Sequence, residues 1–189
     1  MRHDPISTPQ HAVGPFRRRR RPRSAAWAVA SGLLAGAAVG TAGSHSAVAS
    51  TPQPYAAITL AAANWRAQQV VGLVNVERLK HGCRRVAVNA KLTTAAQAHA
   101  DDMAARGYYQ HTTPDGTTPA ARLSSAGYRW KRWGENIGKG SRNPQTVMDA
   151  WMRSASHRSN ILNCAFREIG VGVSMRSNGP WWTQDFAAR

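Results

Sequence analysis

Acidic side chains and cysteines are both scarce: the chain carries nine Asp plus Glu and two Cys, against 25 Lys plus Arg. The usual short-range catalytic signatures are missing. There is no G-x-S-x-G elbow for a covalent serine mechanism, and no H-E-x-x-H pair to bring zinc and a base onto one helix turn. No internal repeat is visible. No stacking-aromatic stripe or nucleic-acid motif accompanies the positive charge, so a dedicated nucleic-acid role is not expected. Two cysteines permit only one pairing. At 189 residues, and with roughly 100–200 residues per domain, the chain is long enough for one sizeable core and too short for two.

The basic residues are unevenly placed. Arg2, Arg17–Arg21 and Arg23 precede an uncharged stretch, Ala25–Gly43, followed by Ala47-Val48-Ala49. A basic region, an apolar region and an A-x-A site are the parts of a secretory signal. Residues 1–49 therefore read as a signal peptide cut between Ala49 and Ser50; an uncleaved anchor is the rival reading, because the stretch approaches spanning length. Ala and Gly insert weakly compared with Leu, which favours cleavage and a mature form without a membrane span. Ser50–Asn64 reads as a linker and residues 65–189 as the folded domain. The domain stays basic, with 18 Lys plus Arg against eight Asp plus Glu from residue 50 onward. Such a surface favours anionic partners. Export places Cys83 and Cys164 where a bridge can form, the other reading being two buried thiols.

Apolar spacing at Ala67, Val70, Val71 and Val74 predicts a helix over 65–80. Asn89 is placed to cap a second helix with Leu92, Ala95, Ala96 and Met103 on its apolar line, stopped by Gly107. His99 lies on that line and reads as a core or rim histidine. Thr118-Pro119 opens a third helix ending at Gly127, and Asn143-Pro144 a fourth running to about Arg153. Residues 169–175 and 181–186 read as strands joined by a turn at 177–180. Helices first and strands late indicate α+β.

Three polar groups stand out: His111, Glu135 and His157. Two imidazoles and a carboxylate suit a divalent metal with an open position, or general acid/base work. Each also has a plain structural reading: a loop histidine, a carboxylate satisfied by backbone N–H groups, and a helix-terminal cap.

From about Gln69 to Ala187 the chain resembles the bacterial form of the CAP superfamily, the cysteine-rich secretory, antigen 5 and pathogenesis-related-1 group (bacterial SCP domains). The resemblance is carried by Asn75-Val76-Glu77-Arg78, by His111 before Pro114-Asp115-Gly116, and by Arg122 with Ala126-Gly127-Tyr128. It continues through Gly134-Glu135-Asn136-Ile137, Trp151-Met152-Arg153-Ser154 and His157-Arg158-Ser159-Asn160-Ile161-Leu162. It closes on Gly170-Val171-Gly172-Val173 and Trp182-Thr183-Gln184-Asp185-Phe186. The resemblance implies an α-β-α sandwich, with a central antiparallel sheet between helical layers, and a Cys83–Cys164 bridge. It also implies a cleft where His111 and Glu135 stand at the first histidine and first glutamate of a two-histidine, two-glutamate set that sometimes holds zinc. Ser154 stands where the second glutamate would be and Trp181 where the second histidine would be. His157, one helical turn beyond Ser154, is the candidate replacement if that helix continues. Zinc binding is accordingly expected to be weak or absent. Two functions follow as expectations. One is a secreted binding module for a lipid, an anionic cell-wall polymer or a partner protein. The other is a metal-assisted, peptidase-like hydrolase with His111 and His157 as ligands and Glu135 as base.

Overall fold

The computed structural model describes residues 54–189; the expected signal segment and its expected cleavage site lie outside them. The order is α1 (Pro54–Lys80), β1 (Ala87–Val88), α2 (Ala90–Arg106), α3 (Pro119–Ser125), β2 (Arg132–Lys139), α4 (Pro144–Arg153), α5 (Ala155–Ile161), β3 (Glu168–Ser174) and β4 (Trp181–Ala188). Helix α1 begins at Pro54, eleven residues before the expected start, so most of the expected 50–64 linker is helical. Alanine is the best helix former and dominates residues 56–63, and proline is tolerated in a first turn.

The expected caps form. The Asn89 side chain accepts from Lys91 N at 3.0 Å and Leu92 N at 3.4 Å, and Gly107 closes α2 in the left-handed region at φ 71°. The fourth helix ends at Arg153, as expected, and does not continue to His157. Ser154 is extended, at φ −89° and ψ 121°, and separates α4 from α5. Serine competes for backbone hydrogen bonds and so favours helix boundaries over interiors. His157 therefore sits on a separate helix, and Ser154 and His157 do not share a helix face.

The sheet order is β1-β3-β4-β2. Strands β3, β4 and β2 are antiparallel neighbours, as expected, whereas the two-residue β1 adds a parallel edge to β3. Strand β2 is not predicted by the sequence pattern. Trp133 to Ile137 interleaves large residues with Gly134 and Asn136, and its apolar side chains are too few to read as a strand.

Alternation along the strands divides the core. Ile169, Val171, Val173, Trp182 and Phe186 face α1, α4 and α5, where they join Val70, Val74, Met148, Trp151 and Phe166. Trp133 and Ala187 face α2 and α3 with Leu92, Leu123 and Tyr128. Two strand glycines bring α2 close: a Cβ at Gly170 would lie 2.1 Å from Leu92 C, and one at Gly172 2.3 Å from Gln97 N. A helix layer thus covers each face of the sheet, an α-β-α sandwich.

Cys83 and Cys164 are bridged, with Cα atoms 4.9 Å apart across a sequence separation of 81. Closing a loop of that length stabilises by about 4–5 kcal/mol in the chain-entropy account. Arg78 lies beside this staple, fully buried. Its guanidinium donates to the carbonyls of Arg84 (3.0 Å), Ile161 (2.8 Å), Asn163 (2.9 Å) and Phe166 (3.0 Å). One turn earlier, Asn75 exchanges two hydrogen bonds with the backbone of Val86. The Asn75-Val76-Glu77-Arg78 motif is therefore a backbone clamp.

Candidate functional site

The register pairs Glu135 on β2 with Asp185 on β4, and Asp185 with Gly170 on β3. Glu135 shares its face of β2 with Trp133 and Ile137, under α2 and α3. Three basic side chains from three elements meet its carboxylate. His111, in the loop after α2, reaches Oε1 with Nδ1 at 2.8 Å. Arg122, from α3, donates Nη2–H to Oε2 at 2.6 Å. His99, from the buried face of α2, holds Nε2 4.0 Å from Oε1.

His99 is a core histidine. Burial pushes its pKa down to about 4, despite the nearby Glu135 carboxylate, so the ring is neutral at ordinary pH. Its Nε2 lies 3.0 Å from the Gln110 carbonyl.

Two carboxyl groups share this dry corner, Glu135 at 3% and Asp185 at 1% exposure. Two like charges in such a place cannot both ionise cheaply. Arg122 and His111 touch Glu135, whereas the side-chain hydrogen-bond neighbour of Asp185 is Glu135 itself. The charge therefore resides on Glu135. Burial opposes ionisation there, but the contacts with His111 and Arg122 outweigh it and hold the pKa below the usual carboxylate range. Burial and the Glu135 charge push Asp185 well above that range, so it keeps its proton.

The sign of the resulting pH dependence follows. Between the ordinary carboxyl range and the raised value, only folded Asp185 holds a proton, so this residue's contribution to stability falls as pH rises through that window. Each pH unit inside it costs about 1.4 kcal/mol. Asp185→Asn, with no proton to lose, should be more stable than the parent at pH 8, and the gap should narrow towards pH 4. Neutral His99 acts oppositely: stability is lost as pH falls from 6.5 towards 4, because only the unfolded chain gains the proton. That contribution is common to both proteins and cancels in the comparison. Urea unfolding at a series of pH values measures the gap; a gap independent of pH would show that Asp185 is ionised when folded.

His157 comes to this corner from another element, within electrostatic reach of His111. Its helix α5 packs on the opposite face of β2, where Asn136 Nδ2 donates to the His157 carbonyl at 3.1 Å. Its Nε2 is buried without a hydrogen-bond partner. Burial, with His111 nearby as the second cause, lowers its pKa. The rest of its motif serves a buried amide network. Asn160 Nδ2 donates to Glu135 O at 3.1 Å and Asn136 Oδ1 at 2.8 Å, and Asn136 Nδ2 donates to Gln184 Oε1 at 2.9 Å. Gly134 is required beside it, since a Cβ there would lie 2.7 Å from Asn160 Oδ1.

The residues present do not fit a resident zinc ion. An open zinc site takes three protein ligands. Both Glu135 oxygens are engaged, and Arg122 places a positive charge against the only ionised carboxylate of this corner. Among the described residues, no group of three or more His, Cys, Asp or Glu is placed to hold a metal. Of the three sequence candidates, the fold joins His111 to Glu135 by a hydrogen bond and brings His157, from α5, within electrostatic reach of His111. Sequence reasoning missed the roles of Arg122, His99 and Asp185. Arg122 and Asp185 belong to the motifs quoted above, and the scarcity of acidic residues makes any carboxylate inside a largely apolar strand a candidate for buried pairing.

Comparison with known proteins agrees with this architecture. The sequence model of the cysteine-rich secretory protein family, CAP, matches residues 71–186. YkwD of Bacillus subtilis (strain 168) is 39% identical over 122 residues, 65% of this chain and 47% of its own length, so the chain spans about half of that relative. An extracellular SCP-domain protein from Bacillus anthracis str. Ames superposes with a TM-score of 0.67 at 28% identity, covering 74% of this chain and 45% of that one. An outer surface protein from Borrelia burgdorferi shares the fold, with a TM-score of 0.62 at 21% identity, over 66% of this chain and 92% of its own. Among the described residues, no helix is long and apolar enough to cross a membrane. By the family match, the layered fold and the motifs that build its buried corner, the chain belongs to the CAP family.

Proposed function

We propose that this CAP domain is an exported binding module, released from its signal segment between Ala49 and Ser50, for a lipid, an anionic cell-wall polymer or a partner protein. The observation that supports this reading is the state of Glu135. A general base must offer a free lone pair to a substrate proton within hydrogen-bond reach. Glu135 is buried with one oxygen on Arg122 and the other on His111, and these two covering side chains are themselves 9% and 12% exposed. Such a carboxylate ties β2 to α3 and to the loop after α2. The rival reading, a metal-assisted hydrolase, needs His111, Glu135 and His157 in one open site.

The two readings part in one set of measurements on protein recovered from its own culture medium. Native mass spectrometry should find a chain starting at Ser50 and report any molecule carried with it. A peptide library incubated with the protein, with and without zinc, should show no cleavage above blank. Zinc titration should show weak or no binding at neutral pH, weaker still as pH falls, because imidazoles ligate only when neutral. Zinc-dependent cleavage abolished by His111→Ala would establish the hydrolase instead.

A further inference from the structure

On the α3 side of the sheet, where β2 begins and β4 ends, a cavity of about 670 Å³ opens between the start of α2, the α3–β2 connection and Arg189. Its size is that of a small-molecule site, typically about 300–1,000 Å³. Three cationic side chains, Lys91, Arg129 and Arg189, line it together with Tyr128 and Trp130, and no carboxylate side chain is among the lining residues.

The walls are set by contacts within the fold. Lys91 Nζ donates to Gly127 O at 3.0 Å, where Gly127 takes φ +77° to turn the chain out of α3. Buried Tyr128 donates its hydroxyl to Glu168, and the Arg189 guanidinium lies 5.2 Å from the Tyr128 ring centre with Nε 3.5 Å from Glu168 Oε2, so that Arg189 is already paired. Trp130 is pinned twice: Nε1 donates to Ser124 Oγ at 3.2 Å, and the ring meets Trp133 edge-on with centres 6.4 Å apart. Arg129 is exposed and makes no hydrogen bond or ion pair among the described residues. Lys131 and Arg132 extend the positive charge along the exposed chain beyond the cavity.

We propose that this cavity binds an anionic sugar polymer, the Trp130 indole packing on a sugar ring while Arg129, with Lys91 beside it, pairs with the polymer's acidic groups. This deepens the binding-module reading and rests on it. A fixed indole presents a large apolar surface at low entropic cost, and a free guanidinium pairs carboxylate or phosphate oxygens in a fork. A lipid tail is disfavoured, since charged and hydroxylated side chains surround the opening. Single-stranded nucleic acid needs successive aromatic platforms for successive bases, and here one half-buried indole stands alone beside buried Tyr128.

Calorimetric titration of the full chain with hexagalacturonate, maltohexaose and a 20-mer of deoxythymidine tests the assignment. Hexagalacturonate should bind and the neutral maltohexaose should not. Arg129→Ala should weaken hexagalacturonate at least about tenfold, as expected for a lost charge-assisted contact. Trp130→Ala should weaken it comparably, with Trp130→Phe retaining part of the affinity. Arg176→Ala, which removes the same charge from the exposed turn at the opposite end of the β3–β4 hairpin, should change it less than about twofold, the loss expected from general attraction alone. Equal binding of maltohexaose overturns the proposal, as does an equal loss in Arg176→Ala. So does deoxythymidine binding that depends on Trp130 more strongly than hexagalacturonate binding does. Because Arg129 is exposed, its variant reports on the cavity even if Trp130→Ala fails to fold. The library assay above judges the module reading by cleavage, so the two can fail separately.

Discussion

Glu135→Ala should cost about 3–5 kcal/mol of folding stability at pH 7, the range for removing one partner of a buried ion pair. The loss comes less from the vanished attraction than from what stays behind. Arg122, whose side chain is 9% exposed, would keep its positive charge without a carboxylate, and His111 would lose its partner on Nδ1. Asp185 offers a partial remedy. With the Glu135 charge gone, its ionisation is less opposed, and it could take over as counter-ion to Arg122. Glu135→Ala should therefore fall towards the lower end of the range, and Glu135→Ala with Asp185→Asn towards the upper end. Adding Arg122→Met to Glu135→Gln should recover much of the loss, because a buried pair replaced on both sides leaves no orphaned charge. Urea unfolding of the four variants checks the set. A loss below about 1 kcal/mol for Glu135→Ala, the value of an exposed pair, would mean the carboxylate is solvated and free for chemistry.

Arg78→Ala should be at least as damaging. Four backbone carbonyls accept from its guanidinium, and each left unsatisfied in a buried place costs about 1–3 kcal/mol. Water entering the space would satisfy some of them, so we expect a net loss of about 4 kcal/mol or more, a large part of the 5–15 kcal/mol that holds a typical domain together. Arg78→Lys should fall between, since an ammonium has three donors on one atom and cannot span four carbonyls presented from 84, 161, 163 and 166. The bridge keeps Cys164 tethered to Cys83, so the loosened 161–166 segment cannot leave. Hydrogen exchange there should rise far more than in β3 and β4. A stability change within about 1 kcal/mol, the worth of a single ordinary hydrogen bond, would show that the clamp is redundant with the disulfide.

These two arginines illustrate what was legible in the chain and what was not. Both sit inside motifs that carry the family resemblance, so their presence is read directly. Their work is not. Arg78 acts on three carbonyls more than 80 positions away, and Arg122 on a carboxylate in a different element, separations over which spacing carries no information. His99 is the converse case. Its place on the apolar line of α2 identified it as interior, because a helix repeats its face every three to four residues. That pattern could not show that the interior there contains Glu135.

By itself the sequence determined the local elements: the Asn89, Thr118 and Asn143 caps, the Gly107 stop, the late β3–β4 hairpin, the single cysteine pairing and the basic surface. Each depends on residues within a few positions of one another, or on counts. Tertiary structure alone decided four things. The segment Trp133–Ile137 became strand β2, because its pairing with β4 supplies backbone partners that its own pattern does not advertise. The short helix after Ser154 packed against β2, so that His157 arrives near His111 from a separate element. Glu135 came to rest opposite Asp185, so that only one of the two keeps its charge. And the turn after α3 brought Arg129 and Trp130 beside Lys91 and Arg189. In each case the deciding energy is a long-range one, burial or charge in a dry interior, and it acts between groups whose separation the chain's order does not encode.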